Sequence, residues 1–517
     1  MTMDRIELTV PFRLAGVEAP IPYFVAIVFV FLTYFTLQGN KVPALPLVNG
    51  KKFPEISNGR TKKHFALNAS EVIQHGIEAQ KGSPFRAIAD VGEVVLLPPE
   101  FANEIRNDNR FSFVKHVRES FHGHLPGFVG FDEGSRDSML LRSVSQKQLT
   151  HQLAKVTEPL SDETSTALQE LLTDNLEWHT VALKSTILQL VARISSKVFL
   201  GDQLCRNQKW LDISVGYTTN VFAAAEELRL WPRPLRNIVH WFLPRCRVAR
   251  KQVKEARNIV QPLVESRNRE NAERLAAGKE PVLYNDAIQW CEDNAKGSDF
   301  DAPIMQLMMS VVAIHTTTDL LCQVMLDLAE HHSIVEPLRN EVRTILQEGG
   351  WKKTSLYNMK LLDSVVKESQ RLKPITIASM RRVTTEEVRL SNGLVLPPGT
   401  KTAVLANRMW DPSVHENPLE WDGYRFFNMR QLPGKEQVSQ LVSTSADHLG
   451  FGHGQHACPG RFFAANEVKI ALCHLLIKYD WRLAQGAKPN VRRYGFSLSA
   501  DPLIQVQLSR RKEDIEA

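Results

Sequence analysis

The sequence predicts a mainly helical fold with a minor β region, preceded by one N-terminal transmembrane helix. Three stretches carry that prediction. Residues 302–330 are apolar around the whole circumference of a helix, the mark of a buried central helix. After Cys458, the residues Phe463, Ala464, Val468, Ala471, Leu472, Leu475 and Leu476 recur at helical spacing. Residues 21–37, IPYFVAIVFVFLTYFTL, carry no charge and reach the minimum of about 17 residues needed to span a bilayer.

A chain of 517 residues, 43% hydrophobic, is long enough for one large domain with a sizeable core. Its net charge of +6 is spread without a dense basic block. That pattern favours an anionic membrane surface or an acidic protein partner over nucleic acid. The six cysteines show no Cys-x-x-Cys spacing, so neither a zinc site nor a disulfide framework is supported. The chain reads as one folded in a reducing compartment.

In chain order, residues 1–20 form a lumenal segment ahead of the apolar run. The run 21–37 reads as a retained anchor rather than a cleaved signal, because no small-x-small site follows it. Residues 38–52 hold Lys41, Pro43, Pro46, Lys51 and Lys52, a proline-bearing hinge whose basic excess places residues 53–517 in the cytosol. Between Phe53 and Pro99, alternation at Phe85, Ala87, Ala89 and Val91 points to a small sheet rather than long helices. Asn103 to Phe131 reads as irregular.

Arg142 to Lys155, Thr180 to Leu200 and Val215 to Leu230 read as helices. Leu228 to Leu243 then mixes Arg229, Arg233 and Arg236 with Trp231, Trp241 and Phe242. Such a mixture suits either a surface dipping into lipid headgroups or a solvated connection. Glu265 to Phe300 is charged and broken by Gly278, Pro281 and Gly297, as in an exposed linker.

The central helix has a capping residue in Asp301 and a first-turn proline in Pro303. The run His315-Thr316-Thr317-Thr318-Asp319 interrupts it. Threonine hydroxyls there can take carbonyls one turn back, from Val312 to Ile314, and make a polar notch. Further on, Glu368 and Arg371 lie one turn apart on the helix Leu361 to Leu372. Leu394 to Asn407 alternates around Pro397-Pro398-Gly399 like a hairpin.

The chain is organised around Phe451-Gly452-His453-Gly454-Gln455-His456-Ala457-Cys458-Pro459-Gly460. This is a loop built to aim one sulfur at a metal. Cys458 stands just before a helix start, where free amides and the dipole favour a thiolate. The stretch resembles the heme-binding loop of the cytochrome P450 family, Phe-x-x-Gly-x-Arg-x-Cys-x-Gly. Phe451, Gly454, Cys458 and Gly460 match, and His456 replaces the usual Arg.

The resemblance implies heme b with Cys458 as the axial thiolate on iron. It also maps Ala313 to Thr318 onto the family's oxygen-binding motif, Ala/Gly-Gly-x-Asp/Glu-Thr-Thr. Ala313, Thr317 and Thr318 match; Ile314 replaces the Gly and Thr316 the acid. The implied role of Thr317 is to bond iron-bound dioxygen and help deliver protons, with His315 or water standing in for the missing acid. Glu368 and Arg371 match the family's Glu-x-x-Arg, which pairs with an arginine, here Arg425 of Tyr424-Arg425-Phe426, and locks the cysteine loop. Arg382 and His456 are implied propionate partners. The family's Trp-x-x-x-Arg pair falls on Ser143 and Lys147, so the Trp is missing and Lys147 is a further propionate candidate. Residues 373–380, Phe496 and Leu498 would line the substrate pocket, and residues 103–131 would form the loop over it.

The resemblance runs from about residue 40 onward and implies a heme-thiolate monooxygenase on the endoplasmic reticulum membrane, single-pass, with a cytosolic catalytic domain. Its electrons would come from a separate NADPH-cytochrome P450 reductase, with cytochrome b5 as a second electron partner. No flavin or nicotinamide fingerprint is present in the chain. The substrate would be a small, bulky apolar molecule. The wording Ala-Ile-His-Thr-Thr and His-Ala-Cys-Pro-Gly-Arg-Phe-Phe-Ala is similar to fungal members that oxidise indole-diterpenes, meroterpenoids and diterpenes. Two other classes stand beside this reading. One is a heme-thiolate isomerase or dehydratase working without O2, to which the absent acid at Thr316 lends weight. The other is a non-catalytic membrane-anchored binding protein, which the intact cysteine loop argues against.

Overall fold

A computed structural model of the chain describes residues 44–51, 55, 57–133, 140–295, 297 and 300–512. The anchor expected at 21–37 lies outside the described residues, as does part of the hinge 38–52. Helices dominate, and the central one spans Ala302–Glu330, 29 residues and almost wholly buried. Asp301 accepts the Ile304 amide at 3.1 Å, and Pro303 occupies the first turn, as the sequence indicates. The helices Leu183–Leu200, Gln208–Arg229, Pro244–Ala276, Lys360–Leu372 and Arg461–Lys478 all pack on it. This helix is long and apolar enough to cross a membrane, but its apolar surface is covered by those neighbours.

The β region is minor and split. One mixed sheet has the strand order Phe85–Ala89, Gly92–Leu97, Lys401–Leu405, Ala378–Thr384, Phe111–Ser112. A second joins His179–Ala182, Gln505–Arg510 and Tyr479–Leu483. Asp319 ties the C-terminal region to the central helix, accepting the Ala500 amide at 2.7 Å and the Lys184 ammonium at 3.2 Å.

Several local expectations give way to tertiary context. A helix, Gly59–Ala79, occupies much of the stretch read as sheet alone. Its buried face, Phe65, Ala69, Ile73 and Gly76, recurs every three to four residues. A Cβ at Gly76 would lie 2.4 Å from the Phe85 ring, so glycine lets that helix press onto the first strand. The stretch 103–131 is structured: Ser112 caps the helix Phe113–Ser120 through the Lys115 amide, and Val129–Glu133 is helical.

Thr180 belongs to a strand rather than a helix, because residues 179–182 pair with the strand Gln505–Arg510. The expected linker 265–300 is largely helical. Pro244–Ala276 runs through its start, and Ala287–Ala295 follows. Val253, Ala256, Val260, Val264 and Arg267 keep one face buried, with Arg267 held by Asp286 at 2.7 Å. Residues 394–407 do not form a hairpin with themselves. Val395–Leu396 pairs with Val388–Arg389, while Lys401–Leu405 joins the five-stranded sheet.

Candidate active site

The Cys458 amide donates to the Phe451 carbonyl at 2.8 Å, closing the loop on itself. Gly454 has φ +77°, and a Cβ there would meet the Arg106 Cβ at 2.4 Å. Only glycine fits both the left-handed conformation and the close approach. A short turn, Gly454–His456, precedes the helix Arg461–Lys478. The amides of Gly460 and Arg461 point at the Cys458 sulfur. Burial raises the thiol pKa, while those amides and the Arg461 charge pull it back down.

The loop faces an opening. Cys458 is partly exposed, whereas the five other cysteines are buried. A Cβ on Gly460 would meet no atom within 4 Å. On the central helix, Val312 and Thr316 are exposed and Ala313 partly so, between fully buried flanks. Three basic side chains converge beside the loop. Arg142 donates to the Gln455 carbonyl, and the Arg382 guanidinium stacks 5.2 Å from the Phe113 ring. The His456 ring lies 5.9 Å from that same Phe113. Burial, then the charges of Arg382 and Arg142, pushes the His456 pKa down to about 4. Burial alone lowers Arg382 to about 10, and no described carboxylate pairs with it.

A sulfur under two amides, beside the buried Arg382 guanidinium, the partly exposed Arg142 and the neutral His456 ring, fits a heme with its iron at Cys458 and its propionates at these basic side chains.

Lys147 is exposed, on a π turn spanning Val144–Gln148. Arg142, which the alignment on Ser143 and Lys147 passed over, is the basic side chain that reaches the loop from this segment. A π turn adds a residue per turn, so spacing counted on an α-helix misplaces side chains around it.

The threonine notch is divided among different partners. Thr316 spends its hydroxyl on the Val312 and Ala313 carbonyls, at 2.9 and 3.2 Å. His315 turns toward the helix Gln208–Arg229, where its Nε2 bonds the Val215 carbonyl at 3.1 Å. Burial lowers its pKa, so the ring is neutral and donates there. Thr317 is buried and reaches the carboxyl of Glu467, which also accepts from Ser195 at 2.6 Å. Burial raises the Glu467 pKa to about 8. Glu467 lies about 9 Å along its helix from Arg461. The contact therefore registers the start of that helix, and the cysteine before it, against the notch. Sequence reasoning missed Glu467, because only the fold brings it to Thr317.

The salt-bridged cluster forms as the family resemblance implies. Arg371 grips Glu368 through two bonds of 2.8 Å, and Arg425 reaches the same carboxylate at 3.1 and 3.2 Å. The Asp422 amide is a third partner of the carboxylate, and Arg371 also binds the Met409 and Pro418 carbonyls. Glu368 and Arg371 are thus satisfied out of reach of solvent, with Arg425 closing the cluster from a partly exposed position.

A cytochrome P450 family model matches residues 89–506 of this chain. The chain is 52% identical to the cytochrome P450 monooxygenase hepE of Aspergillus oryzae over 477 residues, 92% of this chain and 87% of that one. It is 42% identical to the monooxygenase TRI1 of Fusarium sporotrichioides, covering 91% of this chain and 86% of that one. With the monooxygenase adrA of Penicillium rubens it shares 40% identity over the whole length of both. The chain belongs to the cytochrome P450 family, as a heme-thiolate monooxygenase.

Proposed function

We propose that this monooxygenase hydroxylates, or successively oxidises, a bulky apolar terpenoid intermediate of fungal secondary metabolism, and that Cys458 is its proximal thiolate. The observation that carries the site is the pair of amides, Gly460 and Arg461, aimed at the Cys458 sulfur. The heme, when bound, supplies reduction of O2 and insertion of one oxygen atom into a C–H bond.

The chain supplies the rest. Gly460 and Arg461 steady the sulfur's charge. Arg382 and Arg142 would neutralise the propionates and the neutral His456 ring would offer a hydrogen bond, with Lys147 at a more exposed position. Thr317, buried just beneath the open notch residues, holds a proton at its Oγ1 against the Glu467 carboxyl. Thr316 has its hydroxyl committed to the helix backbone, so it contributes shape rather than a proton. The terpenoid class rests on the wording of the central-helix and cysteine motifs and on fungal relatives named as monooxygenases.

Electrons come from an NADPH-cytochrome P450 reductase, and the chain is held at the endoplasmic reticulum by residues 21–37. A second lipid contact is supported by the exposed side chains Leu230, Ile238, Trp241 and Phe242 beside Arg233 and Arg236. The test is turnover of candidate terpenoids under 18O2 by the chain co-reconstituted with reductase and NADPH. One labelled oxygen atom per hydroxylation supports the reading. Product formation without NADPH, or without label, overturns it in favour of an isomerase.

A further inference from the structure

Resting on the monooxygenase reading, we propose that Arg381 receives a carboxylate group carried by the otherwise apolar substrate. Arg381 stands where two segments of the substrate side are laced together. The Ile377 amide donates to the Phe496 carbonyl at 2.8 Å, and the Leu498 amide to the Ile375 carbonyl at 3.2 Å. The Arg381 guanidinium lies 5.3 Å from the Phe496 ring, and its Nη2 donates to Thr376 Oγ1 at 3.1 Å. The other donors of its five find no acceptor among the described residues, and no described carboxylate lies within ion-pair distance. The residue is partly exposed although its charge is deeply enclosed, a combination shared with Cys458. It therefore borders an internal opening rather than the outer surface.

An enclosed guanidinium without an anion is expensive, and one ring face offsets little of that cost. Its planar fork suits a carboxylate taken by two parallel bonds. Asp90 and Arg229 act on Arg381 from the same side, but Asp90 is taken by Arg229 at 2.6 Å and lies outside ion-pair distance of Arg381. A heme propionate is the rival occupant, but Arg382 takes that role from the other direction. Arg382 lies against Phe113, beside His456, whereas Arg381 lies against Phe496 and Thr376.

The test is optical titration of the full-length, heme-loaded protein with abietic acid and methyl abietate, and with dodecanoic acid and methyl dodecanoate. Wild type should bind the acid of a pair about tenfold more tightly than its ester. Arg381→Gln should abolish that preference by weakening the acid alone, and Arg381→Lys should restore part of it. Equal binding of acid and ester by wild type, ester preference, or no binding of either acid overturns the proposal. So does an unchanged preference in Arg381→Gln. The carbon monoxide spectrum of the same samples separates the two claims. Loss of the thiolate band in wild type defeats the monooxygenase reading. Loss in both Arg381 variants alone makes Arg381 a heme ligand partner and overturns the carboxylate proposal.

Discussion

Arg371 and Glu368 face each other across one helical turn with two hydrogen bonds of 2.8 Å, both side chains at 0% exposure. Removing either partner leaves a charge where water cannot reach it, a loss of about 3–5 kcal/mol. Arg371→Met should therefore lower soluble yield and unfolding midpoint and prevent heme uptake. Denaturant unfolding and heme content measure this. A variant that binds heme at wild-type level would show that the cluster does not hold the cysteine loop.

Gly454→Ala should fail at the loop while sparing the rest of the fold. The φ of +77° disfavours any side chain, and the new Cβ would press on Arg106. Far-ultraviolet circular dichroism should stay near wild type while the heme-to-protein ratio falls. An unchanged ratio would mean the loop moves away at little cost.

Glu467 gives a dependence on pH. Its folded pKa, about 8, lies above the ordinary value of 4.5, so the folded state favours the protonated acid. The stability this confers is complete below pH 4.5 and is lost as pH rises through 8, by at most about 5 kcal/mol. Glu467→Gln cannot ionise and should not lose it. Urea unfolding at pH 5 and pH 8 should show wild type falling behind the variant only at the higher pH. Parallel curves would mean that Glu467 is ionised in the fold at both.

The propionate side offers a comparison. Arg142→Gln should speed loss of heme to apomyoglobin several-fold, more than Lys147→Gln does, since Arg142 reaches Gln455 and Lys147 is exposed. The reverse order would restore the expectation built on the alignment at Ser143 and Lys147.

The features legible in the sequence are those written in consecutive residues. The cap at Asp301, the Glu368–Arg371 turn and the Phe451–Gly460 loop depend on neighbours within about ten positions, and each has the expected local form. The Thr316 hydroxyl bonds back to Val312 as threonine in a helix can. What escaped depends on distant partners. Thr180 is drawn into a strand by residues 505–508, and charged residues 265–276 remain helical because one face is buried. Glu467 gains its meaning only beside Thr317 and Ser195. Arg142 was displaced from the alignment by a π turn that no residue pattern announces.

The central claim is that Cys458 binds heme iron as a thiolate. The measurement that tests it most directly is the carbon monoxide difference spectrum of the reduced protein, for wild type and Cys458→Ala. A strongly red-shifted Soret band in wild type that disappears in Cys458→Ala is the expected result. A folded wild type without that band, or a band that survives the substitution, would contradict the account.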